Sequence, residues 1–185
     1  MKKLLLVTAL IPMSVFAAPV KDRLSITPII GLERVQKFQP TTSMKTRAIY
    51  GVRLIYKFPI SALETEYTHA QDTSEDTTNN TSYKDSEDKL RLGLRGGFTL
   101  SNFMSSYLRG GAQYRKNTTT KTVVGASSTE ETRSKVQPYV GTGININLGR
   151  FVSISADILA TYTPTDDPNL KDYELQPSVG FNLKF

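Results

Sequence analysis

The 185-residue chain has no cysteine, no tryptophan and one histidine, His69. Without cysteine there is no disulfide, no thiolate metal site and no cysteine nucleophile. One imidazole cannot build a histidine metal cage. A strong charge of one sign is also missing: 23 Lys and Arg stand against 17 Asp and Glu. Such a balance is too mild to point to nucleic acid. Helical periodicity is absent along the chain, and after residue 17 no apolar run reaches the ~20 residues that a membrane-crossing helix needs. What the chain has in abundance is Ser and Thr, 38 together, and short stretches that alternate apolar with polar residues.

Residues 1–17 read as a secretory leader. Lys2 and Lys3 give a positive start, Leu4 opens an apolar stretch interrupted by Pro12, and Val15-Phe16-Ala17 places small residues three and one positions before a cut ahead of Ala18. Removing the leader lowers the formal charge from +6 to +4, since two lysines leave with it. Residues 18–185 then form one exported domain.

That domain reads as eight strands, because its apolar residues recur with period two in runs of about ten. In the last run Tyr173, Leu175, Pro177, Val179, Phe181, Leu183 and Phe185 alternate with Glu174, Gln176, Ser178, Gly180, Asn182 and Lys184. Similar runs cover 48–58, 90–98, 136–148 and 152–162, with weaker ones at 24–36, 62–70 and 105–116. The connections alternate in length. Those at 59–61, 100–104 and 149–150 are short; those at 37–45, 71–88, 117–132 and 163–172 are long and polar. In an up-and-down sheet all long loops fall at one end, and both termini join the short turns at the other. Pro28, Pro138 and Pro177 fall inside the runs, where each forfeits a ladder bond, so bulges or strand ends are expected there.

A soluble sheet alternates too, so a secreted soluble barrel with an apolar interior is one reading. Loop asymmetry, an even strand number and strands long enough to cross a tilted hydrocarbon layer favour the inverted arrangement, apolar outside and polar inside. Lipid cannot satisfy an open strand edge, so the sheet must close. The strand count, the long/short alternation and the terminal Val179-x-Phe181-x-Leu183-x-Phe185 pattern resemble the small OmpA/OmpX-type outer-membrane barrels. The resemblance implies an all-β, eight-stranded antiparallel up-and-down transmembrane barrel in the bacterial outer membrane. It implies outer-membrane lipid and lipopolysaccharide as surroundings, and the barrel-assembly machinery as the reader of Val179, Phe181, Leu183 and Phe185. With no Trp, the aromatic girdles fall to Tyr50, Tyr56, Phe58, Tyr67, Phe98, Tyr162, Phe181 and Phe185.

Eight strands enclose only enough space for side chains. Alternation directs Glu33, Glu64, Glu66, Asp157 and Glu174 inward, together with Arg53, Arg91, Arg95, Arg109 and Arg115. A charge alone in that space would be costly, so five acids facing five arginines point to a paired network that closes the lumen. The planar guanidinium suits the role because it engages two carboxylate oxygens at once. The same residues would build a narrow gate if they exchanged partners.

The long loops name no ligand. The acids of 71–88 have no calcium-loop spacing, and the segment reads as a solvated hairpin tip, as does Thr-rich 117–132. Polar loops on a rigid scaffold are where recognition resides, so a surface partner is expected through them. His69 falls on the lipid face near the outer rim. Outer-membrane lipid A deacylases resemble one another in placing a His two residues before a Ser; here position 71 is Gln, and the nucleophile is missing. The chain therefore reads as a structural or surface-interaction protein and not an enzyme, with no cofactor or metal. A narrow gated channel or transporter and a lipid-modifying enzyme stand as alternatives.

Overall fold

The computed structural model describes residues 23–37, 43–76, 81–123, 126–133, 136–163 and 173–185; the expected leader lies outside them. The strands are β1 (Leu24–Lys37), β2 (Ser43–Lys57), β3 (Ala62–Asp76), β4 (Thr81–Thr99), β5 (Met104–Val123), β6 (Ala126–Arg133), β7 (Gln137–Asn147), β8 (Val152–Tyr162) and β9 (Tyr173–Lys184). Every pairing is antiparallel. β6 runs beside the far half of β5 and β7 beside its near half, so the two are consecutive parts of one wall strand. The wall thus has eight strands, and β1 pairs with β9 to close it. Among the described residues no helix is long and apolar enough to cross a membrane.

Alternation decides which way each side chain points. On β4, Leu90, Leu92 and Leu94 are exposed while Lys89, Arg91 and Arg95 are buried. On β9, Val179 and Phe181 face out while Gln176, Ser178 and Asn182 face in. A few inward positions are apolar, Ile29, Ile49, Ile55 and Leu159 among them. The outward belt runs on β4 from Leu90 to Leu100 at the following turn. Ten residues at ~3.4 Å each, tilted by ~40°, span about 26 Å, which matches a bilayer's apolar band.

Two expectations are corrected by the strand limits. The segments 71–88 and 117–132 are mostly strand and not loop: β3 continues to Asp76, β4 begins at Thr81, β5 runs to Val123 and β6 covers Ala126–Arg133. The Thr118-Thr119-Thr120 run and Thr122 are β-branched and pair across to β4 and β6, which favours extended structure in spite of their polarity. Pro138 is the second residue of β7, and the register beside β5 changes by one residue between Lys116↔Arg133 and Gln113↔Gln137, the arithmetic of a bulge. Pro28 and Pro177 differ from expectation. Both sit mid-strand without a bulge, at Pro28↔Val52 and Ile158↔Pro177. Each coincides with a lapse in the β1–β9 seam, where pairing skips from Ile26↔Leu183 to Ile29↔Gly180 and again from Gly31↔Ser178 to Arg34↔Leu175. A missing donor is tolerated where the ladder already lapses.

Candidate functional site

The lumen is the candidate site, and its charges fall into two layers. In the deeper one Glu66 is wholly buried and accepts from three arginines: Arg53 Nε at 2.7 Å, Arg109 Nη1 at 2.6 Å, and Arg91. Glu64 accepts from Arg109 Nη1 at 2.6 Å and from Arg95 Nη1 at 3.4 Å. Asp157, on the opposite wall, accepts from Arg53 Nη1 and Arg109 Nη2, both at 2.9 Å, from Tyr107 Oη at 2.8 Å and from Ser178 Oγ at 2.7 Å. Arg91 also reaches Gln113 at 2.6 Å and, across the lumen, Gln176 at 2.7 Å. Side chains from β2, β3, β4, β5, β8 and β9 therefore meet on the axis.

The second layer lies toward the long hairpins. Glu33 and Glu87 share Arg47, and Lys89 contacts Glu33, Glu87 at 2.9 Å and Glu174 at 3.5 Å. Arg115 bridges Glu87 at 2.9 Å and Glu174 at 2.8 Å. Three acids here face three cations. Isolating any of these charges from water would cost several kcal/mol, of order 3–5 when one partner of a buried pair is removed. Shared, charge-assisted hydrogen bonds offset that cost.

Glu33, Arg53, Glu64, Glu66, Arg91, Arg95, Arg109, Arg115, Asp157 and Glu174 thus all lie on the lumen side, in two groups. Sequence reasoning missed Arg47, Glu87 and Lys89, which complete the outer layer. Their signal was present: Arg47 extends the inward parity of Arg53, and Glu87 and Lys89 extend that of Arg91, once β2 and β4 are allowed to start earlier. Small residues make the room. A Cβ on Gly143 would meet Tyr107 Oη at 2.5 Å, in the space through which Tyr107 reaches Asp157.

On the outer wall, direct cross-strand partners form one row around the barrel: Ile30, Tyr50, His69, Asp88 and Lys116. His69 Nδ1 lies 2.8 Å from Asp88 Oδ1, Tyr67 Oη donates to the same oxygen at 2.6 Å, and the Tyr50 ring tilts over the imidazole at 5.2 Å. From Tyr50 to Lys116 this row carries polar groups, and Asp88 is the next outward position beyond Leu90 on β4. At the other end Phe58, Phe98, Phe103, Phe151 and Phe185 are exposed near the short turns. Val179, Phe181 and Phe185 face outward, with Leu183 half-buried, and Phe185 N donates to Leu24 O at 2.9 Å across the seam. Among the described residues no cluster of His, Asp and Glu is disposed to hold a metal.

Comparison with known proteins matches residues 4–185 to the family described as outer membrane protein beta-barrel domain. Three solved structures of similar fold are Neisserial surface protein A, the attachment invasion locus protein Ail of Yersinia pestis, and the N-terminal β-barrel domain of Pseudomonas aeruginosa OprF. The first is 13% identical with a TM-score of 0.62, covering 88% of this chain and 96% of its own. Ail is 14% identical with a TM-score of 0.58, covering 89% and 99%. The OprF barrel is 13% identical with a TM-score of 0.57, covering 89% and 98%. No curated protein matches the chain.

Proposed function

The chain belongs to the outer membrane protein β-barrel family and so to the bacterial outer membrane, and on that premise we propose that it is a sealed, non-enzymatic barrel that holds a stiff sheet above the cell surface for contact with a partner. The supporting observation is the length of β4 and β5, 19 and 20 residues. Crossing takes ~9–11 residues. Beyond the Asp88↔Lys116 pair, seven more pairs continue to Thr81↔Val123. β3 and β6 extend alongside, so four strands rise together as one polar sheet. Its side chains brace one another: Thr119 donates to Asp85 at 2.8 Å, Lys121 lies over the Tyr83 ring at 5.7 Å, and Lys116 pairs with Glu131 at 2.9 Å. Ordering that many residues costs roughly 1–2 kcal/mol each. The lumen network supports the sealed reading, because guanidinium groups from several walls fill the axis. Lipopolysaccharide beside the rim and recognition of the Phe185 pattern by the barrel-assembly machinery belong to the same proposal.

The test trims the sheet. Residues 73–84 and 119–130 are each replaced by Asn-Gly, which suits a two-residue hairpin and keeps Asp72↔Asp85 and Thr118↔Glu131 in register. The trimmed barrel is expected to insert and to keep a heat-sensitive gel mobility, while cells displaying it lose adhesion to surfaces and to one another. Unchanged adhesion would end the surface reading. Planar-bilayer recordings of the parent chain and of Arg53→Ala, Arg91→Ala and Arg95→Ala are expected to show no conductance steps; steps in the parent chain would favour a channel.

A further inference from the structure

The lumen charges are not balanced along the axis. The outer layer pairs three acids with three cations, but the deeper layer holds four arginines, Arg53, Arg91, Arg95 and Arg109, against Glu64, Glu66 and Asp157. Arg95 is the surplus. Among the described residues its one hydrogen-bond partner is Glu64, at 3.4 Å, and its guanidinium lies 3.3 Å from the centroid of the Tyr107 ring.

Arg95 also lines a cavity of about 330 Å³ at the end that carries the short turns, which is the periplasmic end of such barrels. That size is at the lower end of small-molecule sites. Lys57, Lys184 and Asn182 line it as well, and no Asp or Glu does. Lys184 donates to Asn147 Oδ1 at 2.7 Å, so it is not counted as an open donor to the cavity. The lining is therefore basic, and Arg95 is the member whose one carboxylate among the described residues is shared with Arg109. The remaining walls are apolar where they meet the membrane: Phe58 and Phe98 line the cavity and are themselves half exposed.

We propose that this vestibule binds a phosphate group from the periplasmic side, with Arg95 as the hydrogen-bonding ligand and Lys57 and Lys184 setting the field. The group is either the headgroup phosphate of an inner-leaflet phospholipid, whose chains would lie against Phe58 and Phe98, or free phosphate. Guanidinium matches phosphate geometry through paired N–H donors. An anion there also offsets the surplus charge of Arg95, whereas a cation or a neutral sugar does not.

The experiment uses the full barrel in a neutral maltoside detergent. One arm titrates inorganic phosphate and follows phosphorus line broadening. The other follows retention of short-chain phosphatidylglycerol by native mass spectrometry, with the matching diacylglycerol as the phosphate-free comparison. Binding in both arms, or in the lipid arm alone, assigns a lipid headgroup; binding of inorganic phosphate alone assigns free phosphate. Arg95→Gln is expected to weaken binding at least tenfold and Lys57→Gln about threefold. Arg150→Gln, a cation on a nearby turn that lies outside the cavity, should leave it unchanged. If Arg95→Gln fails to fold, the Lys57→Gln, Lys184→Gln double variant decides, with a tenfold loss expected. No binding in either arm, or equal binding by the cavity variants and the parent, overturns the proposal.

Discussion

Glu66 accepts hydrogen bonds from three arginines, Arg53, Arg91 and Arg109. Glu66→Ala is expected to cost about 3–5 kcal/mol, since three buried cations lose their shared partner. Urea unfolding in lipid vesicles measures this, and a loss below about 1 kcal/mol would mean the layer re-pairs freely. The Lys116–Glu131 pair gives the contrast. It is largely exposed, with side-chain exposures of 36% and 47%, so Lys116→Gln should change stability by no more than about 1 kcal/mol. Gly143→Ala tests packing and not charge. The added methyl meets Tyr107 at 2.5 Å and Asp157 Cβ at 2.6 Å, and overpacking of this kind costs roughly 1–3 kcal/mol. No loss in the same assay would show that the Tyr107 side chain can move aside.

Among the elements, the strength of pairing is uneven. β4 and β5 pair without interruption from Thr81↔Val123 to Thr99↔Ser105, while the β1–β9 seam lapses beside Pro28 and Pro177. Local opening follows the weakest ladder. Amide exchange in micelles is therefore expected to be faster along the β1–β9 seam than in the membrane-level part of β4 and β5. The reverse order would show that side-chain packing, and not the ladder, limits opening. β9 also closes the barrel through Phe185 N to Leu24 O and its reverse partner. Its outward aromatic residues are the part that an assembly machinery would read, and on that hypothesis Phe185→Ala lowers the folded fraction in cells more than it lowers stability after refolding in lipid. Equal effects in both settings would assign Phe185 to closure alone.

At the scale of the whole molecule, the barrel is an inverted protein. Its apolar atoms face acyl chains, and its ions are zipped along the axis. Spin labels at Leu92, Val140 and Phe181, which are 55%, 62% and 45% exposed, are expected to sense hydrocarbon. Labels at the inward neighbours Arg91, Tyr139 and Asn182 should perturb folding or sense a polar interior. Water contact at the first three positions would reverse the orientation of the entire wall. Along this axis lie a polar sheet at one end, a paired plug in the middle and a basic cavity at the other end.

Period two in the sequence determined which residues face lipid and which face the axis, because a strand offers a side chain only two directions. The eight runs gave the even strand number, and the alternation of short with long polar segments between them gave the end at which the long ones fall. For the same reason the inward direction of Arg53, Glu66 and Asp157 was legible before any contact was known. Partnership was not legible. That Arg53 meets Asp157 and Arg91 meets Gln176 depends on barrel closure and stagger, which bring opposite walls together at heights set by the full register. Polarity concealed the tall sheet at 81–88, 116–123 and 126–133, because Ser, Thr and Asp are loop residues by composition. There the strands form because each edge finds a neighbour already extended by the barrel beneath it. The same cause hid Arg47, Glu87 and Lys89, whose inward turn is fixed by strands that continue past the point where their apolar pattern ends.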